Sequence, residues 1–252
     1  MSKNIGLQLY TVRDHLAQDF VGTLEKVAQI GYKGLEFAGY GGLTAKELHA
    51  VVTDLGMQPV SSHLSIDLLK NTSETIEYAL ELGLSYVSCP WLPEELRKTA
   101  DDYRAVGETL AQLGEEYASH GLTLCYHNHA FEFEQKSANG EFGLDILYSS
   151  TPAHALQAEL DVYWVERAGQ KATEYVAKYA GRCPLIHIKD MEDSESQAFA
   201  EVGSGTLPLL DIIEAGSKNG TKWFFVEQDV CKNDSLASIT TSMAYLKGVG
   251  IA

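Results

Sequence analysis

The sequence predicts a single (β/α)8 barrel spanning residues 1–252, and three observations carry that expectation. Short apolar segments alternate eight times with longer helical ones, a glycine stop recurs between them, and the length divides evenly among the units. Shared over 252 residues, each unit has roughly 31, enough for one strand, one helix and two turns. No Pro/Ser-rich linker or low-complexity segment interrupts the rhythm. A doubly wound open sheet is the weaker alternative.

The strands are read as Ile5 to Tyr10, Gly34 to Ala38, Met57 to His63, Tyr86 to Pro90, Leu122 to His129, Leu156 to Asp161, Pro184 to Asp190 and Trp223 to Asp229. Each is a short β-rich run, as expected of parallel strands covered on both faces. Helical periodicity follows them, for example over Phe20 to Tyr32 and Tyr103 to Gly121. Gly31, Gly56, Gly83 and Gly121 each separate a helical run from a new strand, the position where a left-handed residue ends a helix. Met191 to Pro208, the longest polar stretch, follows strand seven and is expected to form a mobile loop over the site.

Charge narrows the partners. With 19 Lys+Arg against 35 Asp+Glu, the net charge of −16 opposes binding to nucleic acid or an anionic membrane. No apolar run approaches the roughly 20 residues of a membrane span, and the first residues lack a signal-peptide core, so a cytoplasmic protein is expected. Cys89, Cys125, Cys183 and Cys231 form no CxxC pair and read as buried free thiols.

A barrel keeps its active site at the C-terminal ends of its strands. Titratable residues gather there: Glu36, His63, His127, His129, Asp161, His187, Lys189, Asp190, Glu227 and Asp229. Strands five to eight each end in a group able to bind metal, namely His127, Asp161, His187 and Glu227. Mixed nitrogen and oxygen donors suit Mn²⁺, Zn²⁺, Co²⁺ or Fe²⁺ better than Ca²⁺. Singly, Asp161 also reads as a helix cap, His187 as a core histidine and Glu227 as a partner of Lys189. The strand-five ligand is open among His127, His129 and Glu132, because alternate residues of a strand point to one side.

The segments YHNHAFEF (from Tyr126), ELDVYWVERAG (from Glu159), LIHIKDM (from Leu185), EVGSGTLPLLDII (from Glu201) and FVEQD (from Phe225), with the opening GLQLYTVRD (from Gly6), resemble the sugar phosphate isomerase/epimerase family of xylose isomerase-like TIM barrels. The resemblance spans nearly the whole chain. It implies a divalent-metal-dependent isomerase or epimerase working on a small-molecule sugar or keto-sugar through an enediolate, with elimination of the inosose dehydratase or 3-keto-glycoside type as the alternative. It maps three metal ligands to Asp161, His187 and Glu227, and places His127 where relatives commonly carry Glu.

That departure leaves Glu227 as the one glutamate of the usual proton-carrying pair, with Lys189, His129, His63 or Glu132 to supply the second acid or base. By the same resemblance Gln8, Tyr10, Glu36 and Trp164 line a sugar pocket, with His63 beside them, and a homo-oligomer is possible. Gly203-Ser204-Gly205-Thr206 reads either as a phosphate nest or as a surface turn. The acidic balance favours an unphosphorylated substrate.

Overall fold

All eight expected strands form and lie in one parallel sheet. They are β1 (Ile5–Gln8), β2 (Gly34–Phe37), β3 (Gln58–Ser62), β4 (Tyr86–Cys89), β5 (Thr123–His127), β6 (Gln157–Asp161) and β7 (Leu185–Ile188). A short antiparallel pair, β8 (Asp190–Met191) and β9 (Phe199–Ala200), precedes the last barrel strand, β10 (Trp223–Val226). The coordinates are a computed structural model and describe residues 2–134 and 137–252.

The spatial order is β3-β2-β1-β10-β7-β6-β5-β4. The two outer strands meet at a parallel bridge between His63 and Ser88. There the Leu64 N–H donates to the Ser88 carbonyl at 2.9 Å and the Ser85 N–H to the Val60 carbonyl at 3.1 Å. The architecture is the predicted eight-stranded barrel.

Helices wrap it for legible reasons. Phe20–Ile30 starts at Asp19, whose carboxylate accepts the Gly22 N–H at 2.9 Å, and buries Thr23, Leu24 and Val27. It stops at Gly31, which takes φ 114°, a conformation that a Cβ would strain. Ala100–Ser119 begins three residues earlier than the periodicity indicates, because Thr99 and Asp102 form a reciprocal capping box. Among the described residues no helix is long and apolar enough to cross a membrane.

Inside the barrel, side chains stack in tiers because residues i and i+2 of a strand share a face. The lowest tier is apolar: Val60, Cys125, Leu185, Trp223 and Phe225 pack together. Its two large rings fit because neighbouring strands carry glycine. A Cβ on Gly6 would lie 2.4 Å from the Phe225 ring, and one on Gly34 2.4 Å from Trp223. Cys89, Cys125 and Cys183 are buried, and Cys231 is half-buried.

The strands are shorter than the sequence indicates. Tyr10, His129, Asp190 and Asp229 fall beyond the barrel ladder, where the chain has turned toward the next connection. Residues 191–208 include Met191 of β8 and all of β9, and are tied from below by Asp190. Its carboxylate accepts the N–H groups of Met191, Gly203, Gly205 and Leu207 at 2.8–3.1 Å. The glycine nest is therefore already filled by a carboxyl group of the chain itself.

Candidate active site

The i, i+2 rule that builds the core also builds the site. Two polar tiers rise above the apolar floor, each made from ends of different strands. Glu159 and Asp161 leave β6, His187 and Lys189 leave β7, and Glu227 and Asp229 leave β10. His127 and His129 come from β5, and Glu36 and His63 from the ends of β2 and β3.

In the upper tier the Lys189 ammonium lies 2.9 Å from Asp161 Oδ2, 2.8 Å from Glu227 Oε2 and 2.8 Å from Asp229 Oδ1. Of the three, Asp229 is aligned as a hydrogen bond. Glu227 Oε2 also meets His187 Nδ1 at 2.7 Å, while His127 Nε2 stands 3.5 Å from Asp161 Oδ2. Asp161 divides its work: Oδ1 accepts the Tyr163 and Trp164 N–H groups at 3.0 and 3.3 Å, capping the next helix, and Oδ2 faces the site. Both plain expectations for Asp161 and Glu227 thus hold beside their place in the cluster.

The lower tier contains Gln8, Glu36, His63 and Glu159. Glu36 Oε1 accepts from Gln8 at 2.7 Å and lies 2.7 Å from His187 Nε2 and 3.1 Å from His63 Nε2. Glu159 Oε2 meets His63 Nε2 at 2.7 Å and His127 Nδ1 at 3.5 Å. The imidazoles of His127 and His187 therefore span both tiers, one ring nitrogen in each.

Burial and charge set the protonation states. Burial alone lowers His63, but Glu36 and Glu159 outweigh it and raise it to about 10. The same contest raises His187 well above the usual imidazole range. His127 is driven well below that range by burial and then by His187 and His63. Burial, helped by Lys189, takes His129 down to about 3. Asp161 is pushed up to about 6 by burial against the pull of Lys189. Burial would raise Glu227 too, but Lys189 and His187 hold it below the carboxylate range.

The donors fit a divalent cation. His127, Asp161, His187 and Glu227 each offer an atom within 4.8 Å of the others. Several buried atoms of these residues, and of Glu36 and Glu159 beneath them, make no hydrogen bond within the protein: Asp161 Oδ2, His187 Nε2, His127 Nδ1, Glu36 Oε2 and Glu159 Oε1. Asp161 Oδ2 and His187 Nε2 lie at ion-pair distance from a neighbour but off the axis of a hydrogen bond.

Above the cluster opens a cavity of about 490 Å³, lined by His63, His127, His129, Lys189, Glu227 and Asp229, with Tyr10, Arg13 and Trp91 at its rim. Tyr10 stands where the sequence places it. Gln8 and Glu36, expected to line the pocket, are wholly buried beneath it and bonded to each other. Trp164 also lies off the cavity wall, with its ring 5.3 Å from His129 and 4.9 Å from Tyr163.

Sequence reasoning missed Glu159, whose signal was its place two residues before Asp161. It also missed Arg13, which reaches across to donate to the Asp229 carbonyl at 2.9 Å, and Trp91. Glu132 stays apart from the cluster, its oxygens taken by the Tyr126 hydroxyl and the His129 N–H.

Comparison with known proteins agrees with this architecture. The family model described as xylose isomerase-like TIM barrel matches residues 24–248. A solved sugar phosphate isomerase/epimerase from Parabacteroides distasonis is 26% identical with a TM-score of 0.84, covering 100% of this chain and 96% of its own. A second from the same organism is 24% identical with a TM-score of 0.86, covering 99% of each chain. The probable 3-DHS dehydratase from Bacillus anthracis shares the fold at 12% identity and a TM-score of 0.74, over 98% of this chain and 99% of that one. No curated protein matches the chain.

Proposed function

The chain belongs to the xylose isomerase-like TIM barrel family, and from that premise we propose that it is a divalent-metal-dependent isomerase or epimerase of a sugar or keto-sugar. It moves a proton between substrate carbons by way of an enediolate. The observation that supports this most directly is the convergence of His127, Asp161, His187 and Glu227 under one cavity. A divalent ion on those four residues, Mn²⁺, Zn²⁺, Co²⁺ or Fe²⁺, supplies Lewis acidity to adjacent carbonyl and hydroxyl oxygens.

The chain's own groups handle the proton. Glu227, ionised and on the cavity wall, takes it from the substrate C–H. Lys189, charged and braced by three carboxylates, donates a hydrogen bond to the developing oxyanion. Return of the proton from Glu227 to the neighbouring carbon gives isomerisation. Delivery from Lys189 or His129 to the opposite face of the same carbon gives epimerisation. His129 suits a relay because its neutral ring keeps a buried Nδ1 without a hydrogen-bond partner.

Tyr10 at the rim offers an aromatic face to sugar C–H groups, while Gln8, Glu36 and Trp164 support the site from outside the cavity wall. Asp190 already fills the glycine nest, which favours an unphosphorylated substrate. We take residues 1–252 to act as one domain on a small molecule, with nucleic acid disfavoured by the net charge of −16.

Elimination from the same enediolate is the second reading, favoured by His127 standing where a second proton-carrying glutamate would be. The test is incubation with a keto-sugar panel in D₂O with Mn²⁺, followed by mass spectrometry. Isomerisation incorporates deuterium without loss of water, whereas elimination loses water or an alcohol. Glu227→Gln should lower exchange by about 10²–10⁴-fold. A fully active variant would remove Glu227 from the mechanism.

A further inference from the structure

We propose that the lower tier of the barrel is a second divalent-cation site, formed by Glu36, His63, Glu159 and His187 beneath the mouth set. It shares His187 with the set proposed above, and the test below separates the two. The four residues come from the ends of four different strands, so a rigid frame holds them. His63, Glu159 and His187 each offer a donor atom within 4.8 Å of the others, as does His127, and Glu36 stands beside both His63 and His187. His63 Nε2 lies 2.7 Å from Glu159 Oε2 and 3.1 Å from Glu36 Oε1, and His187 Nε2 lies 2.7 Å from Glu36 Oε1 and 3.6 Å from Glu159 Oε1. Ligands at about 2.0–2.1 Å from one ion sit roughly 3.0–3.4 Å apart, the middle of that range.

Protons alone serve this tier poorly. His63 Nε2 carries at most one proton yet faces two carboxylates. Glu36 Oε2 and Glu159 Oε1, both fully buried, make no hydrogen bond, and neither does His187 Nε2. A buried carboxylate oxygen left unpaired is destabilising, because it has given up water and gained no donor. The upper carboxylates differ, because Lys189 is a permanent cation built in among them. Below, among the described residues, the basic groups that face the carboxylates are imidazoles.

His187 lets both positions fill together. Its Nε2 faces the lower carboxylates while its Nδ1 lies 2.7 Å from Glu227 Oε2. Coordination through Nε2 leaves an Nδ1–H to donate to Glu227, so an upper ion retains His127, Asp161 and Glu227. Two nitrogens and two oxygens select a borderline ion such as Zn²⁺, Co²⁺ or Mn²⁺ over Ca²⁺.

The test is metal stoichiometry. Chelator-treated protein is dialysed to equilibrium against Zn²⁺ or Mn²⁺ with excess Mg²⁺ to saturate surface carboxylates, and bound metal is measured by elemental analysis. Wild type should hold about two ions per chain. Glu159→Gln and His63→Gln should each hold about one, with circular dichroism unchanged. His63 reaches the cavity, so its variant keeps the test open where Glu159→Gln fails to fold.

Asp161→Asn should lose the upper ion and keep the lower. A wild type with a single ion whose count both lower-tier variants leave intact would overturn the site. So would a single ion that Glu159→Gln merely weakens, since that is the signature of a carboxylate orienting His127. Loss of metal in Asp161→Asn alone would leave the reaction scheme standing without the lower site. Loss in Glu159→Gln and His63→Gln alone would do the reverse.

Discussion

Glu132 illustrates how one buried side chain ties stability to pH. Its oxygens accept from the Tyr126 hydroxyl at 2.6 Å and the His129 N–H at 2.8 Å, yet burial outweighs both and pushes the carboxyl from 4.5 up to about 8. Between those values the folded chain keeps a proton that the unfolded chain has lost. This residue's contribution is therefore complete below pH 4.5, falls by about 1.4 kcal/mol per pH unit as pH rises, and levels off above 8. Glu132→Gln removes the titration. Urea midpoints from pH 5 to 8.5 should show the variant gaining on wild type as pH rises, and parallel curves would refute it.

The same scale explains what was legible. Residues that end a strand, such as His127 and Asp161, declare themselves by position. Glu159 sits inside an apolar run where a lone acid reads as a solvent-facing residue. Only the barrel's inward alternation turns it toward the centre, and that phase emerges from Asp161 two residues later.

Asp190 organises an element rather than a reaction. The sequence marked residues 191–208 as a loop and left the glycine run between phosphate nest and turn. What settles its conformation is the carboxylate that opens β8, since four N–H groups converge on Asp190. Gly205 is required by that approach: a Cβ there would lie 2.3 Å from Asp190 Oδ1 and 2.4 Å from the Met191 carbonyl. A long-range anchor of this kind has no periodic signal, whereas helix stops such as Gly31 do.

Asp190→Ala strands those donors. At roughly 1–3 kcal/mol for a buried unsatisfied group, with partial rescue by water, the loss should be about 3 kcal/mol. For a chain of this length that lowers Tm by about 6–12 °C. Limited proteolysis should then cut between residues 191 and 208 where wild type resists. An intact loop at unchanged Tm would show that the β8–β9 pair and the stacking of Phe199 on Tyr163, at 4.3 Å, suffice.

At the scale of the molecule, the eightfold rhythm was enough to specify the barrel, because each strand needs an apolar outer face under its helix. The interior was less legible: its apolar floor, paired with Gly6 and Gly34, gives way upward to five carboxylates, Glu36, Glu159, Asp161, Glu227 and Asp229. Lys189, His63 and His187 are the cations facing them, so carboxylates outnumber cations in the centre of a chain already at −16. The upward shifts of Asp161 and Asp229 are the local expression of burial in that crowd. If, as proposed, a divalent ion binds there, it would relieve that crowding and, by binding the folded state, stabilise the fold by mass action. At one hundred times its Kd an ion adds about 2.7 kcal/mol, or about 5–11 °C in Tm at this chain length. Thermal melts in Mn²⁺ or Zn²⁺ should rise with metal concentration and fall back with chelator. His187→Ala, which removes a donor common to both tiers, should flatten that response; an equal rise in this variant would place the ion on the acidic surface.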